Sequence, residues 1–283
     1  MTTAFQCGRY RLSIDAAAAP LVMGVLNITP DSFSDGGQFY GLEAALTQAE
    51  GMIEAGVDII DIGGESSRPG ATPITVEEEL RRVMPVIFAL RDCGKPLSID
   101  TTKSAVMVEA IAAGADMIND IGGFRERDVL HAFQDSDCAL CIMHMQNAPA
   151  TMQVRPRYQD VVTEVIEFLR ERVAACHAAG ITANRICVDP GFGFGKSVEH
   201  NVALLRALRT IYTELSLPVL AGLSRKSFIG HLTGRPVGER LAGSVAAAVI
   251  AANNGAAIVR VHDVAQTVDA LKIWQGTRAE MSQ

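Results

Sequence analysis

Residues 42–63 read LEAALTQAEGMIEAGVDIIDIG, and the order of its parts decides the fold. Leu42 to Ala55 is an amphipathic helical pattern, Gly56 suits a left-handed helix end, and Val57 to Gly63 is a short apolar, β-branched run of the kind that forms a buried strand. Working outward, the same phrase recurs. Strand-like runs stand at Leu21 to Thr29, Val57 to Gly63, Pro96 to Asp100, Met117 to Ile121, Ala139 to Met145, Ile186 to Asp189, Val219 to Ser224 and Ala257 to His262. Helical patterns fill the gaps at Leu42 to Ala55, Val76 to Arg91, Ser104 to Ala113, Tyr158 to Ala179, Glu199 to Leu208, Gly238 to Asn253 and Val264 to Gly276, with a weaker one over residues 125–135. Ala113-Gly114-Ala115 and Asn254-Gly255-Ala256 repeat the glycine helix end.

Eight β-then-α units imply a parallel sheet covered by helices, and eight is the number that closes: the expected fold is an α/β (β/α)8 TIM barrel, with a doubly wound open sheet as the alternative. Residues 5–15, with the polar turn Cys7-Gly8-Arg9-Tyr10, predict a short N-terminal hairpin placed to plug the bottom of the barrel. No linker or composition shift divides the chain, so residues 1–283 are expected to form one domain.

A formal net charge of -7 without any Lys/Arg run argues against nucleic acid or an anionic membrane surface as the main partner, since both require a basic footprint. A small molecule is the expected ligand. The first residues lack a basic segment followed by an apolar one, and no run approaches the length of a membrane span, so a cytoplasmic location is expected. Six scattered cysteines read as small buried hydrophobes. Cys138 and Cys141 form a CxxC, but within an apolar strand rather than at a turn entering a helix.

In such a barrel the carboxyl ends of the strands carry the active site. Polar residues gather there: Asn27, Asp61 with Glu65, Asp100, Asn119 with Asp120, His144, Asp189, Ser224 with Arg225 and Lys226, and Arg260 with His262. Any one of these is by default a satisfied core group; one at the same end of every strand is harder to dismiss. Asp100 and Asp189 suit hydrogen-bond acceptance from a donor-rich heterocycle or general-base work, the plainer reading of Asp100 being a helix cap. Asn119 both donates and accepts.

Gly195-Lys196-Ser197 resembles the end of a phosphate loop, but Pro190 stands where the Walker pattern needs glycine, and the preceding glycines read GxGxG instead of GxGxxG. They are better suited to a loop folded closely over a ligand, with Phe192 or Phe194 as an apolar wall. Arg68, Arg225, Lys226, Arg260 and His262 focus positive charge at the reactive end of an acidic chain; a solvated surface role is the alternative for each arginine. No HExxH or His/Cys cluster suggests structural zinc, whereas Mg2+ shared with substrate phosphates would need only one or two protein oxygens. The loop from Asn27 to Gly37, with Phe33 amid polar residues, reads as a lid hinged at Gly36 and Gly37, or else as an irregular connection.

The segments MGVLNITPDSFSDGG (23–37), GGESSRPGA (63–71), SIDTTK (98–103), INDIGG (118–123), DPGFGFGK (189–196), GLSRKSFIG (222–230) and RVHDV (260–264) resemble the signatures of the dihydropteroate synthase family, in its order and spacing and almost end to end. The resemblance implies a transferase of folate biosynthesis. Such an enzyme joins 6-hydroxymethyl-7,8-dihydropterin pyrophosphate to p-aminobenzoate, giving 7,8-dihydropteroate and pyrophosphate, with Mg2+. It implies that Asp100, Asn119, Asp189 and Lys226 hold the pterin edge, that Arg260 stacks on the pterin and faces phosphate, and that Met143 packs on it. Asn27 is implied as the Mg2+ ligand, and Arg68, Arg260 and His262 as the pyrophosphate site. Ser67, Pro69, Phe33, Phe194, Lys226 and Ser224 are implied around p-aminobenzoate.

Catalytic roles fall on Asp35, Arg68 and Lys226. Mg2+ and the basic residues would stabilise the leaving pyrophosphate, so that the C–O bond breaks largely before the arylamine attacks, with Asp35 stabilising the pterin cation. Ser67 departs from the threonine usual in the family and loses a methyl group, which bears on sensitivity to sulfonamide mimics. A homodimer is implied through the late helices, where the Ala-rich stretch Gly243 to Ala252 either packs against a partner or covers the barrel. Pterin-binding methyltransferases and a non-catalytic pterin-binding barrel are the competing readings; the Phe33/Asp35 loop, Arg68 and the Ser-Arg-Lys-Ser segment speak for a pyrophosphate leaving group.

Overall fold

The structure is a computed structural model that describes residues 2–15, 18–28, 37–66, 71–146 and 156–278. Strands β1 (Thr2–Cys7) and β2 (Tyr10–Asp15) form an antiparallel hairpin. The chain then alternates: β3 (Leu21–Asn27), α1 (Gly37–Glu54), β4 (Ile59–Gly63), α2 (Val76–Leu90), β5 (Leu97–Asp100), α3 (Ser104–Ala113), β6 (Met117–Asp120), α4 (Arg127–Ala132), β7 (Ala139–Met143) and α5 (Val161–Ala178). It continues through β8 (Ile186–Asp189), α6 (Val198–Arg206), α7 (Leu208–Leu215), β9 (Leu220–Ala221), α8 (Ser227–Thr233), α9 (Leu241–Asn253), β10 (Ile258–Val261) and α10 (Val264–Gly276).

The eight-stranded sheet runs in the order β8-β7-β6-β5-β4-β3-β10-β9, parallel throughout. A single bridge, Val188 to Val219, joins its two ends. Sequential order returning to its start is a barrel; a doubly wound sheet would reverse direction midway.

Three apolar layers follow from strand alternation. Ile60, Ile62, Ile99, Ile118, Leu140 and Val188 face outward and pack on the helices. Met23, Ile59, Met117, Cys141, Cys187 and Ile258 fill the barrel's lower interior, and Phe5 of the hairpin closes it from below. Ile121, Met143, Met145 and Phe194 form a small cluster at the upper end. The plug is locked by Asp116, which accepts from the backbone and guanidinium of Arg9 and from the amide of Leu97. Gly8 has φ +56, and a Cβ there would collide with Asp116, so this turn requires glycine.

Gly56, Gly114 and Gly255 all take positive φ after their helices, as the sequence implies. Two helical expectations change. The helix expected over 199–208 is α6, and a further helix that the pattern does not predict, α7, follows it after Ala207, where no glycine or proline marks the junction. Ahead of α9 lies a separate helix, α8, whose seven residues are too few for a periodic signal. The Ala-rich stretch covers the barrel on one face, burying Ser244, Ala247, Ala248, Ala251 and Ala252, while Ile250 on α9 stays exposed. All six cysteines are unpaired and all but Cys93 are buried. Burial pushes the Cys138 thiol up to about 12 and that of Cys176 to about 11, which leaves them inert.

Candidate active site

Arg260, on β10, organises the upper end of the barrel. Its Nε donates to Asp61 Oδ2 at 2.6 Å and its Nη2 to Asp100 Oδ2 at 2.8 Å, so one guanidinium spans two carboxylates from β4 and β5. Asp61 is fully buried and also accepts from Ser98 Oγ at 2.6 Å and from Asn119 Nδ2 at 3.3 Å. That last bond fixes the Asn119 amide and leaves its Oδ1 buried with no partner. An orphaned buried acceptor costs about 1–3 kcal/mol, so this atom is poised for a ligand donor.

Asp189 ends β8 opposite. Its Oδ1 accepts from the amide of Gly191 at 2.6 Å, while its Oδ2 faces Gly222, where the missing side chain leaves space. Burial, the dominant cause, pushes Asp189 up to about 6 and Asp100 up to about 7, the latter against the pull of Arg260. Lys226 lies among them. Burial first, and Arg260 second, bring its ammonium down to about 8, and its Nζ sits 4.1 Å from the centre of the Phe194 ring. Arg260 itself is held above its ordinary value, since Asp61 and Asp100 outweigh its burial.

Beside Arg260, His262 Nδ1 meets Ser224 Oγ at 3.0 Å, and burial, followed by the charge of Arg260, pushes the imidazole down to about 3. It is neutral at any ordinary pH. Asn27 ends β3, and its Oδ1 lies alongside Gly63, whose other neighbour is Asp100. Met143 belongs to the apolar cluster with Phe194. The structure therefore brings together Asn27, Asp100, Asn119, Met143, Asp189, Phe194, Ser224, Lys226, Arg260 and His262. Phe33, Asp35, Ser67, Arg68 and Pro69 lie outside the described residues, as does Gly36.

Several strand-end residues do other work. Arg225 does not add charge to the pocket: at φ 59 it turns back to pair with Asp263, its Nη2 donating at 2.6 Å. Glu65 is engaged by Lys103, and Asp120 caps a turn by accepting from Gly122 and Phe124. Asp100 is not a helix cap, because Lys103 occupies that position before α3. Of the two candidate aromatic walls, Phe192 is buried in the outer core and Phe194 faces the site. The grip of Asp61 on Arg260 is the feature that sequence reasoning missed. Its signal was present as a charged residue midway along an apolar strand, opposite Ser98 on the next one.

A barrel whose upper end opposes acceptors for a heterocycle edge to a buried arginine and lysine defines a class of enzyme that grips a flat, hydrogen-bonding ring carrying an anionic group. The sequence model of a family described as pterin binding enzyme matches residues 23–262. The dihydropteroate synthase of Haemophilus influenzae is 51% identical over 92% of this chain and 94% of its own. Solved structures agree in fold. The Burkholderia cenocepacia dihydropteroate synthase complexed with 7,8-dihydropteroate has 52% identity, a TM-score of 0.88 and coverage of 98% of both chains. The Xanthomonas albilineans dihydropteroate synthase with 4-aminobenzoic acid has 50% identity, a TM-score of 0.90 and coverage of 99% of both. The chain belongs to the pterin-binding enzymes and, within them, to the dihydropteroate synthases.

Proposed function

We propose that this chain condenses 6-hydroxymethyl-7,8-dihydropterin pyrophosphate with p-aminobenzoate to give 7,8-dihydropteroate and pyrophosphate. The observation that carries this reading is the set Asp100, Asn119 and Asp189 at the upper end of the barrel: two acceptors and an unsatisfied amide oxygen complement a pterin edge rich in N–H groups. Lys226 supplies a donor to the same ring, and Arg260, held flat by its two carboxylates, offers a stacking face. Met143 packs on the ring from the apolar cluster.

In the reaction the C–O bond to pyrophosphate breaks with its electron pair leaving on oxygen, the arylamine nitrogen forms the new C–N bond, and that nitrogen then sheds a proton. The protein's task is orientation and charge. Arg260, neutral His262 and Arg68 hold the leaving group; Asp35 steadies the cationic pterin; Phe194, Lys226 and Ser224, with Phe33, Ser67 and Pro69, shape the arylamine pocket. Mg2+ fits the donors present. Asn27 offers a neutral amide oxygen at the strand end, and among the described residues no cluster of three acidic, His or Cys side chains competes for a metal. Asn27 would hold Mg2+, which needs only one or two protein oxygens when it is shared with phosphate, and the ion would neutralise charge on the pyrophosphate.

A homodimer is part of the proposal. Leu232, Val237, Leu241, Ile250 and Ile273 are exposed large apolar residues on or beside α8 to α10, Ile273 by 71%. Unpaired, mostly buried cysteines suit the reducing cytoplasm. The test is pyrophosphate release by purified protein given the pterin pyrophosphate and Mg2+, with and without p-aminobenzoate, run beside sedimentation of the same sample. Release coupled to dihydropteroate at twice the chain mass of 30.2 kDa is expected. Pterin binding without either product would favour a non-catalytic barrel instead.

A further inference from the structure

Lys196 is the residue that made residues 189–197 look like a phosphate loop, and the structure gives it different work. It is 4% exposed, and its Nζ has three acceptors: the carbonyl of Phe194 at 2.9 Å, His144 Nδ1 at 3.0 Å and the carbonyl of His144 at 3.3 Å. Three acceptors match the three N–H groups of an ammonium, which leaves none for a phosphate. His144 meets this demand by being neutral: burial, then Lys196 itself, push it down to about 3, so that Nδ1 is free to accept.

The loop is tied at nearly every residue. Gly191 donates to Asp189, Gly193 to Asn201 Oδ1 at 2.7 Å, and the carbonyl of Gly195 accepts from Tyr158 Oη at 2.9 Å. A Cβ on Gly191 would collide with the carbonyl of His144, so the loop lies directly against the end of β7. Within it, Lys196 alone reaches both β7 and the carbonyl of Phe194, whose ring lies against Lys226 Nζ.

We propose that Lys196 is a positioning residue for the arylamine: by clamping the backbone of Phe194 to the residue that follows β7 it fixes the aromatic wall against which Lys226 stands, and so sets the p-aminobenzoate pocket far more than it does the pterin edge. This rests on the assignment of Phe194 and Lys226 to that pocket. A loop held from behind by a buried lysine, whose ammonium burial brings down to about 7, keeps its wall in place before substrate arrives, which lowers the ordering cost of binding.

The decisive experiment is Lys196→Met, a substitution of similar length, with both substrates measured separately. KM for p-aminobenzoate should rise about tenfold while the dissociation constant of the pterin pyrophosphate, by calorimetry at a pH above about 8 where Asp189 is ionised in either variant, changes less than about threefold. In a Phe194→Leu background the same substitution should add less than about a further twofold, because the wall it positions is gone. Tyr158→Phe, which removes one hydroxyl tether from the same loop, should shift KM in the same direction by a smaller factor and covers the case in which Lys196→Met does not fold. Equal losses for both substrates, or full additivity with Phe194→Leu, would overturn the proposal; with Tyr158→Phe as the only folded variant, an unchanged KM would do so. If the unaltered chain makes no dihydropteroate, the functional reading is at fault, and calorimetric binding of p-aminobenzoate to the pterin-loaded protein still decides the role of Lys196.

Discussion

At the scale of single residues, the site keeps charges in a place that resists them. Lys226 is brought down to about 8, Asp100 up to about 7 and Asp189 up to about 6, burial leading in each case. On the proposed reading, pterin capture needs both carboxylates ionised and the ammonium protonated. Affinity should therefore fall on the acid side as Asp100 and then Asp189 take up protons, and on the alkaline side above about 8 as Lys226 loses its own. Of the facing groups, Arg260 is held charged and His262 neutral across this range, while Lys196, which burial brings down to about 7 against the pull of Asp189, titrates between the two limbs and sharpens the acid one by lowering Asp189 when charged. In Lys226→Arg the guanidinium does not titrate, so whatever affinity remains should keep the acid limb and lose the alkaline one. Calorimetric titration with the pterin pyrophosphate across pH checks this, and an alkaline limb that survives the substitution would belong to another group. These residues were legible because each ends a strand. Asp61 was noticed by the same rule, but its partners lie 37, 58 and 199 residues away in sequence, a convergence that only the closed barrel produces.

At the scale of elements, the segment after β4 shows how a loop is held by its neighbours. Glu65 Oε1 accepts from the amide of Ile74 at 2.9 Å. Lys103, just before α3, then bonds Glu65 at 2.6 Å and Glu79 of α2 at 2.5 Å, while Arg82 donates to the carbonyl of Gly64. Glu79 is fully buried, so removing its cation strands a charge. Lys103→Met should destabilise the fold by about 3 kcal/mol, and Lys103→Met with Glu79→Leu should recover much of it, both read from denaturant unfolding. On the role proposed for Arg68, which lies between Glu65 and Ile74 in the sequence, turnover should fall in the single variant. Undiminished stability in Lys103→Met would mean that Glu79 finds another donor. The sequence shows Glu65 and Lys103 only as members of two separate motifs. Their meeting depends on β4 and β5 being neighbours, which is a property of strand order. The helices it misses, α7 and α8, are short and carry no breaker residue at the Ala207 junction, so local pattern could not resolve them.

At the scale of the whole molecule, barrel, hairpin plug and reactive end were all readable from the repeating strand and helix phrase, because each phrase buries its apolar face in only one way. The closure was not. Around most of the barrel each strand bonds its neighbour over three to five register pairs, but β9 has two residues and meets β8 through one bridge. Asp189 stands on one lip of this slack joint and Lys226 just beyond the other. A pterin held by both would serve as the rung the sheet lacks, bracing the cylinder where it is most ready to spring open. The amides of β8 and β9 should accordingly exchange with deuterium fastest in the free protein, and pterin should slow them more than those of β4 to β6, so that the substrate finishes the architecture that recognises it.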